Sequence, residues 1–344
     1  MHEKNLDKTL KELRPPSGGP WRGTYVDENY IMWLTEFFGD TTMKQFKDES
    51  MDDFIDMLRE FEIRKRNLFS YTQGFVIFKI SMSLQDCYKT SNDENIATRI
   101  ARMNLGNGVN IKKDKLHVSV DIVRSWFKEP IDKAVGHVKA ILSEPAMKDI
   151  STIVLVGGFG ECQLVEEAMR KAAGTRTVVI PEDAGLAVVK GAVQFGHQPR
   201  IITSRCMKYT YGFCVQLPFD ESKHPLEKIE MDAYGDTKVH DCFETIVSTG
   251  QSVDICKEFK SGQYILDKGT CSRLSLYSST EQDPEYITDP TCTLIGKLDL
   301  PIAPGETKEE NAVRICFTFG DTELKASVEF LKTGEVLTKV IDCL

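Results

Sequence analysis

The chain has 344 residues, 41% of them hydrophobic and 28% charged, which is enough apolar material for one or two ordinary cores and reads as a soluble globular protein of about two domains. A formal net charge of −9 argues against a broad phosphate-binding surface, because nucleic-acid binders concentrate Lys and Arg on one face. The short basic run Lys112, Lys113, Lys115 reads as a solvated loop.

At the N-terminus, MHEKNLDKTLKELRPP alternates charges and lacks the apolar core of about 7–15 residues that a secretory signal requires. No segment approaches the ~18 consecutive apolar residues of a membrane-spanning helix, so the expected location is cytoplasmic. Between Val26 and Gly39, apolar residues at helical spacing (Tyr30, Trp33, Leu34, Phe37, Phe38) end on a glycine suited to a C-cap. MKQFKDESMDDFIDMLREFEIRKRNLF predicts one or two further helices, with Phe54, Ile55, Met57, Leu58 and Phe61 on one apolar stripe. From Val120 the same period runs through Trp126, Phe127, Ile131, Val135, Val138 and Ile141, and Pro130 predicts a new start or a kink.

STIVLVGGFGECQLVEEAMRKAAG then gives a strand at Thr152–Val156, a Gly157-Gly158 turn and an amphipathic helix to about Ala173. RTVVIPEDAGLAVVKGAVQFG repeats the plan, with a strand at Val178–Ile180, a turn at Pro181 and a helix to about Phe195. Two strand-then-helix units in succession indicate an α/β layer architecture. From about Tyr209 the helical period stops, and YTYGFCVQL, CFETIVS, RLSLYSS, CTLIGKL, AVRICFTF and ELKASVEFL alternate apolar and polar residues as strands do. ELKASVEFL and EVLTKVID around Lys332-Thr333-Gly334 form a hairpin pattern, glycine supplying a left-handed turn position. A domain boundary is expected where HQPRIITSRCMK, near 197–208, shows neither period. The ten cysteines contain no CxxC pair and eight follow residue 200, which predicts reduced, partly buried thiols.

Chemistry centres on two motifs. The strand ending in LVGG at 155–158 opens a helix, so backbone N–H groups can approach an anion or nucleoside with no Cβ in the way; the same turn also serves as a packing device. GxxxxGK[ST] and GxGxxG are both absent. In EFEIRKRNL at 60–68, Glu62, Lys65 and Arg66 share one helix face, as an exposed ion-pair cluster or as a face where the carboxylate accepts ribose hydroxyls and the cations flank a base. FGDTEL at 319–324 and YGDTK at 234–238 read as turns. The six histidines, at 2, 117, 137, 197, 224 and 240, assemble no triad; His137 reads as a helix-surface residue and His197 as a helix terminus.

Taken together, E-x-x-K-R-x-L at 62–68 followed by LVGG at 155–158 resembles the adenosine clamp of the seventy-kilodalton heat-shock ATPases. IPEDAGLAVVKGAVQFGH, with its AVxKGAV ending, TYGFCVQLPF and the tail VIDCL are similar to the divergent twelve branch of that family. The resemblance implies an actin-like, ribonuclease H-like α/β second lobe over 1–200, with a helical insert at about 40–120, followed by a mainly antiparallel β domain over 205–344. It implies a nucleoside site built from Gly23, Glu62, Lys65, Arg66, Gly157, Gly158 and Phe159, taking ATP or ADP weakly. Gly23 and Asp27 stand where the family has Gly-Gly-x-x-Phe-Asp. Phe69 replaces the family's hydroxyl, Phe-Gly-Glu replaces Ser-Thr-Arg after LVGG, and the late acidic residue is Glu182, Asp183 or neither. The D-x-G-T and D-x-G-G-G-T hairpins that hold phosphate and magnesium are absent, so the chain aligns past the first lobe, magnesium is expected only with that lobe, and no catalytic or metal residue is assigned. A chaperone-related protein unable to hydrolyse ATP alone, contacting proteins or clients through its β domain and neither nucleic acid nor membrane, is one expectation. A non-catalytic interaction scaffold is the other.

Overall fold

The computed structural model describes residues 1–92, 94–103, 108–232, 234–266, 271–301, 310–319 and 323–342. These form a mixed α/β protein with two compact units, one of residues 18–193 and one joining residues 1–17 to 194–344, each with its own core. The chain opens on a hairpin, β1 (His2–Lys4) antiparallel to β2 (Leu10–Glu12). It belongs to the second unit and not to an uninterrupted half-domain over 1–200, because β2 pairs in parallel with a strand that begins at Ile202.

The 18–193 unit contains α1 (Gly23–Phe38), α2 (Asp40–Glu49), α3 (Met51–Arg66), β3 (Phe75–Lys79), α4 (Met82–Ser91), α5 (Ile96–Arg102), β4 (Val109–Lys112), β5 (Lys115–Ser119), α6 (Val120–Leu142), β6 (Thr152–Val154), α7 (Gln163–Ala173), β7 (Thr177–Val179) and the start of α8 (Ala187–His197). Gly39 ends α1 at φ 92°, its N–H donating to the Thr35 carbonyl, as the terminal glycine predicts. The stretch expected as a helical insert also holds a three-stranded antiparallel sheet, β3-β5-β4. The strand-turn-helix pairs are present, with β6 and β7 pairing in parallel through Ile153 and Val178.

Pro130 neither restarts nor ends its helix: α6 runs unbroken from Val120 to Leu142. A proline has no N–H for the carbonyl four residues back, which here is that of Trp126. Asn29 on α1 supplies the missing donor, its Nδ2 lying 2.7 Å from the Trp126 oxygen. Around this point Tyr30 stacks on Phe61 at 4.0 Å between centroids and 10° between planes, and Trp126 packs against both. These aromatic contacts fix α1, α3 and α6 together.

The second unit contains β8 (Ile202–Cys206), β9 (Thr210–Pro218), β10 (Ile229–Met231), β11 (Thr237–Val247), β12 (Ser252–Asp254), β13 (Glu258–Ile265), β14 (Cys271–Ser279), β15 (Cys292–Pro301), β16 (Ala312–Phe319), β17 (Glu323–Phe330) and β18 (Val336–Asp342). A five-stranded sheet, β10-β11-β9-β14-β15, and a four-stranded one, β13-β16-β17-β18, are antiparallel throughout. Phe213, Val239, Leu276, Val313, Phe317 and Leu324 from the two sheets share one core. The 332–334 hairpin forms as predicted, with Gly334 at φ 69° and its N–H donating to the Phe330 carbonyl. The 197–208 stretch contains β8, which pairs with β2 and β12. The buried Glu12 carboxylate accepts the Cys206 N–H at 3.1 Å, securing the N-terminal hairpin to β8. Of the turn expected at 234–238, Tyr234 to Asp236 lead into β11 and Thr237 and Lys238 are its first residues, whereas the centre of FGDTEL lies outside the described residues. Cys87, Cys162, Cys206, Cys214, Cys242, Cys256, Cys292 and Cys316 are free thiols.

Candidate nucleoside-binding site

Helical spacing arranges the end of α3. Phe61 is buried against Tyr30, and Lys65, one turn on, takes the same face and is itself buried, with Nζ 5.8 Å from the Phe61 ring centre. Its ammonium group faces three acceptors: Asp27 Oδ1 at 2.6 Å, Glu62 Oε2 at 2.5 Å and the Gly23 carbonyl at 3.4 Å. An ammonium has three donors, so Lys65 is fully engaged by protein groups. The sequence reading placed it beside a base; the geometry makes it the cross-link between α1 and the Glu62 carboxylate.

Glu62 and Arg66 lie on the adjoining, more open face. Arg66 Nε donates to Glu62 Oε1 at 2.7 Å, and the Arg66 side chain is 62% exposed. Burial works to raise the Glu62 pKa, but hydrogen bonds and charge from Lys65 and Arg66 outweigh it and hold the carboxyl below its ordinary value. The Glu62 hydrogen bond, its charge and the field of Glu161 raise the Arg66 pKa. Glu62 therefore presents a fixed negative charge, and each oxygen retains acceptor capacity for a hydroxyl.

The glycine turn comes up against this helix end. A Cβ built on Gly158 would lie 3.8 Å from Arg66 Nη2, and one on Gly23 would lie 3.7 Å from Lys65 Nζ and 3.9 Å from the Phe159 ring. Glu62, Lys65, Arg66, Gly158, Phe159 and Gly23 are thus one cluster. Gly157 borders it at φ 79°, with open space where a side chain would project. These separations are ordinary contact distances, so an alanine fits at 23 and at 158; the steric demand falls on Gly160, whose Cβ would lie 2.7 Å from the Val156 carbonyl oxygen.

Two further residues belong to the site, Asp27 and Glu161. Asp27 holds Lys65, and its sequence signal is its position one turn after Gly23 on α1. Glu161 accepts the Gly185 N–H at 2.6 Å while the Gly157 N–H donates to the Ala184 carbonyl at 2.7 Å, tying the turn to the segment after Pro181. Of the two late acidic candidates, Asp183 pairs with Lys190 and Glu182 is exposed, while Glu161, also exposed, reaches the Gly185 N–H. Gln163, in the first turn of α7, has a buried Oε1 without a hydrogen-bond partner. His137 packs edge-on to Trp21 at 5.6 Å, and His197 closes α8. Among the described residues no group of His, Cys, Asp and Glu is arranged to hold a metal ion. Among them, too, no helix is long and apolar enough to cross a membrane. A separate cavity of about 510 Å³ opens in the β-rich unit, lined by Phe213, Val215, Leu274 and Val313 together with Lys238 and Gln263.

A carboxylate, a planar cation and a side-chain-free turn at one helix end fit a nucleoside: hydroxyls to Glu62, a flat ring beside Arg66, close backbone approach at Gly157-Gly158. The fold and site therefore define a mixed α/β protein in which a carboxylate–guanidinium pair and a glycine turn meet at one helix end. No family model matches the chain. It is 30% identical to human heat shock 70 kDa protein 12B over 347 aligned residues, covering 98% of this chain and 50% of that protein. It is 29% identical to heat shock 70 kDa protein 12A of Mus musculus and of Homo sapiens, covering 97% of this chain and 50% of each. The chain is thus similar over nearly its whole length to heat shock 70 kDa proteins 12A and 12B, and it spans about half the length of the curated relatives it matches.

Proposed function

We propose that the chain is the adenosine-binding part of an actin-like ATPase fold joined to a β-rich unit that contacts other proteins, and that by itself it binds ATP, ADP or adenosine weakly without hydrolysing ATP. The convergence of the Glu62–Arg66 pair with the Gly157-Gly158 turn carries this reading, because it brings together residues far apart in the chain that have no shared part in either core. Glu62 accepts the ribose hydroxyls, Arg66 covers one face of the base, and the turn admits the sugar. Lys65 and Asp27 hold Glu62 in place. Phosphoryl transfer depends on positioning and charge stabilisation at the phosphates, and the glycine-rich hairpins that supply these are not in the sequence. Magnesium, when bound with ATP in such folds, neutralises phosphate charge; no residue of this site is assigned to it.

Isothermal calorimetry with adenosine, ADP and ATP, each with and without magnesium, tests this. The expected result is weak binding of similar strength for all three, lost in Gly158→Val, whose branched side chain displaces Arg66. A marked preference for magnesium-ATP, or turnover, would overturn the non-hydrolytic reading. Absence of any binding would favour the scaffold reading, which has its own support: every Lys65 donor already has a protein acceptor.

A further inference from the structure

The outer face of the β3-β5-β4 sheet carries charge in an order that the sequence conceals. Antiparallel register places Lys79 directly opposite Lys115, and Lys115 directly opposite Lys112. Directly paired residues share a face, so three ammonium groups form one row across three strands, with Lys113 in the adjoining turn at φ 60°. Like charges placed opposite one another oppose sheet formation. Among the described residues none of Lys79, Lys112, Lys113 or Lys115 pairs with a carboxylate, as Lys65, Lys89, Lys133 and Lys190 do; Lys44, Lys47, Lys128, Lys139, Lys148 and Lys171 of this unit also have no such partner, so what sets the three strand lysines apart is their shared row. The nearby carboxylates do not compensate: Glu60 is committed to Arg64 and to the Lys79 backbone N–H, and Asp114 is a single charge within the turn.

Along the strands, the same face changes character. Ile77 pairs with His117 and Phe75 with Ser119, and Ile77 and Phe75 are 37% and 43% exposed. Phe75 meets His117 edge-on at 6.3 Å. In the loop leading into β3, Tyr71 stacks flat on Phe69 at 5.2 Å and is 69% exposed. One face thus runs from a row of unpaired cations to exposed apolar and aromatic groups over the length of one strand, about 13 Å at ~3.4 Å per residue.

We infer that this sheet face binds a short extended acidic peptide segment of a partner protein, its Asp or Glu residues over the Lys79–Lys115–Lys112 row and its apolar residues over Ile77 and Phe75. Charge complementarity identifies the occupant, and the distribution of charge narrows it. A nucleic acid carries a phosphate on every nucleotide and calls for a track of cations, whereas these lysines form one row at one end. The net charge of −9 also repels a long uniform polyanion while leaving a short acidic segment to be drawn in locally.

The test is fluorescence anisotropy on the full chain with a labelled peptide of three consecutive glutamates followed by Gly-Phe-Leu. Saturable binding is expected, weakened at least about tenfold in Lys79→Gln/Lys112→Gln/Lys115→Gln and on raising salt, and weakened independently by Phe75→Ser. Circular dichroism of each variant establishes that it remains folded. Failure of the unaltered chain to bind, equal binding by the triple variant, or tighter binding of oligothymidylate or of phosphatidylserine vesicles than of the peptide would each overturn the proposal.

Discussion

Lys65 and Arg66 are neighbours with different duties, and the difference is set by which side of α3 each occupies. Lys65 points into the cleft between α3 and α1, so Lys65→Met leaves Asp27 and Glu62 without their shared cation. Both carboxylates keep access to water, at 31% and 41% exposure, so the loss should be about 1–3 kcal/mol, below that for a fully buried pair. Arg66→Ala should leave stability within about 0.5 kcal/mol while weakening nucleoside binding, because its side chain is largely open. Urea unfolding of the two variants checks the ordering, and the reverse order would remove Lys65 from its bridging position. Glu62 adds a pH signature. Its carboxyl is depressed in the folded state, so its contribution is present above the unfolded carboxylate pKa and is lost as pH falls through the lower folded value. Stability and nucleoside affinity should therefore fall together on acidification in the unaltered chain, and Glu62→Gln should flatten that part of both profiles. The sequence displays Glu62, Lys65 and Arg66 as equivalent polar residues on one face; it does not show that Asp27 and Gly23 close around the ammonium, because α1 comes alongside only after folding.

At the level of elements, α6 shows how a local rule is overridden by a neighbour. Pro130 removes one backbone donor, and the sequence alone predicts a new start or a kink there. The helix persists because Asn29 from α1 hydrogen-bonds the orphaned Trp126 carbonyl. Asn29→Ala should destabilise the protein by about 1–3 kcal/mol, the range for a buried polar group left without its partner. In a Pro130→Ala background the backbone N–H restored at that position can reach the same carbonyl, so the Asn29→Ala penalty should shrink to a small fraction of that. A double-mutant cycle from denaturant unfolding measures this coupling, and equal penalties in both backgrounds would show that Asn29 acts elsewhere. The β-rich unit was more legible: alternation located β9, β11 and β14 to β18, since each has one face in the core. β13 was missed because its exposure is broken by a register shift between Lys260 and Gln263, and β8 because five residues of mixed polarity carry too little pattern.

Over the whole molecule, two cores without a shared residue predict two unfolding transitions. In scanning calorimetry, Phe61→Ala should lower one transition and Phe317→Ala the other, each by about 3–5 kcal/mol of local stability. A single transition moved equally by both would show one cooperative unit. The sequence by itself determined the change from helical to strand period near residue 200, the glycine termini of α1 and the 332–334 hairpin, and the two motifs whose spacing resembles the heat-shock ATPases. Those signals are local: they depend on periodicity, on the conformational freedom of glycine and on residues a few positions apart. Only the tertiary structure decided that residues 1–17 join the β-rich unit, that Lys65 is enclosed while Arg66 is open, that Glu161 reaches the Gly185 N–H, and that three lysines from three strands stand in one row. Each of these depends on strand register or on which helix arrives alongside, and register is fixed by the collective burial of Phe78, Leu116, Val118 and their neighbours across the sheet and not by the residues it brings together.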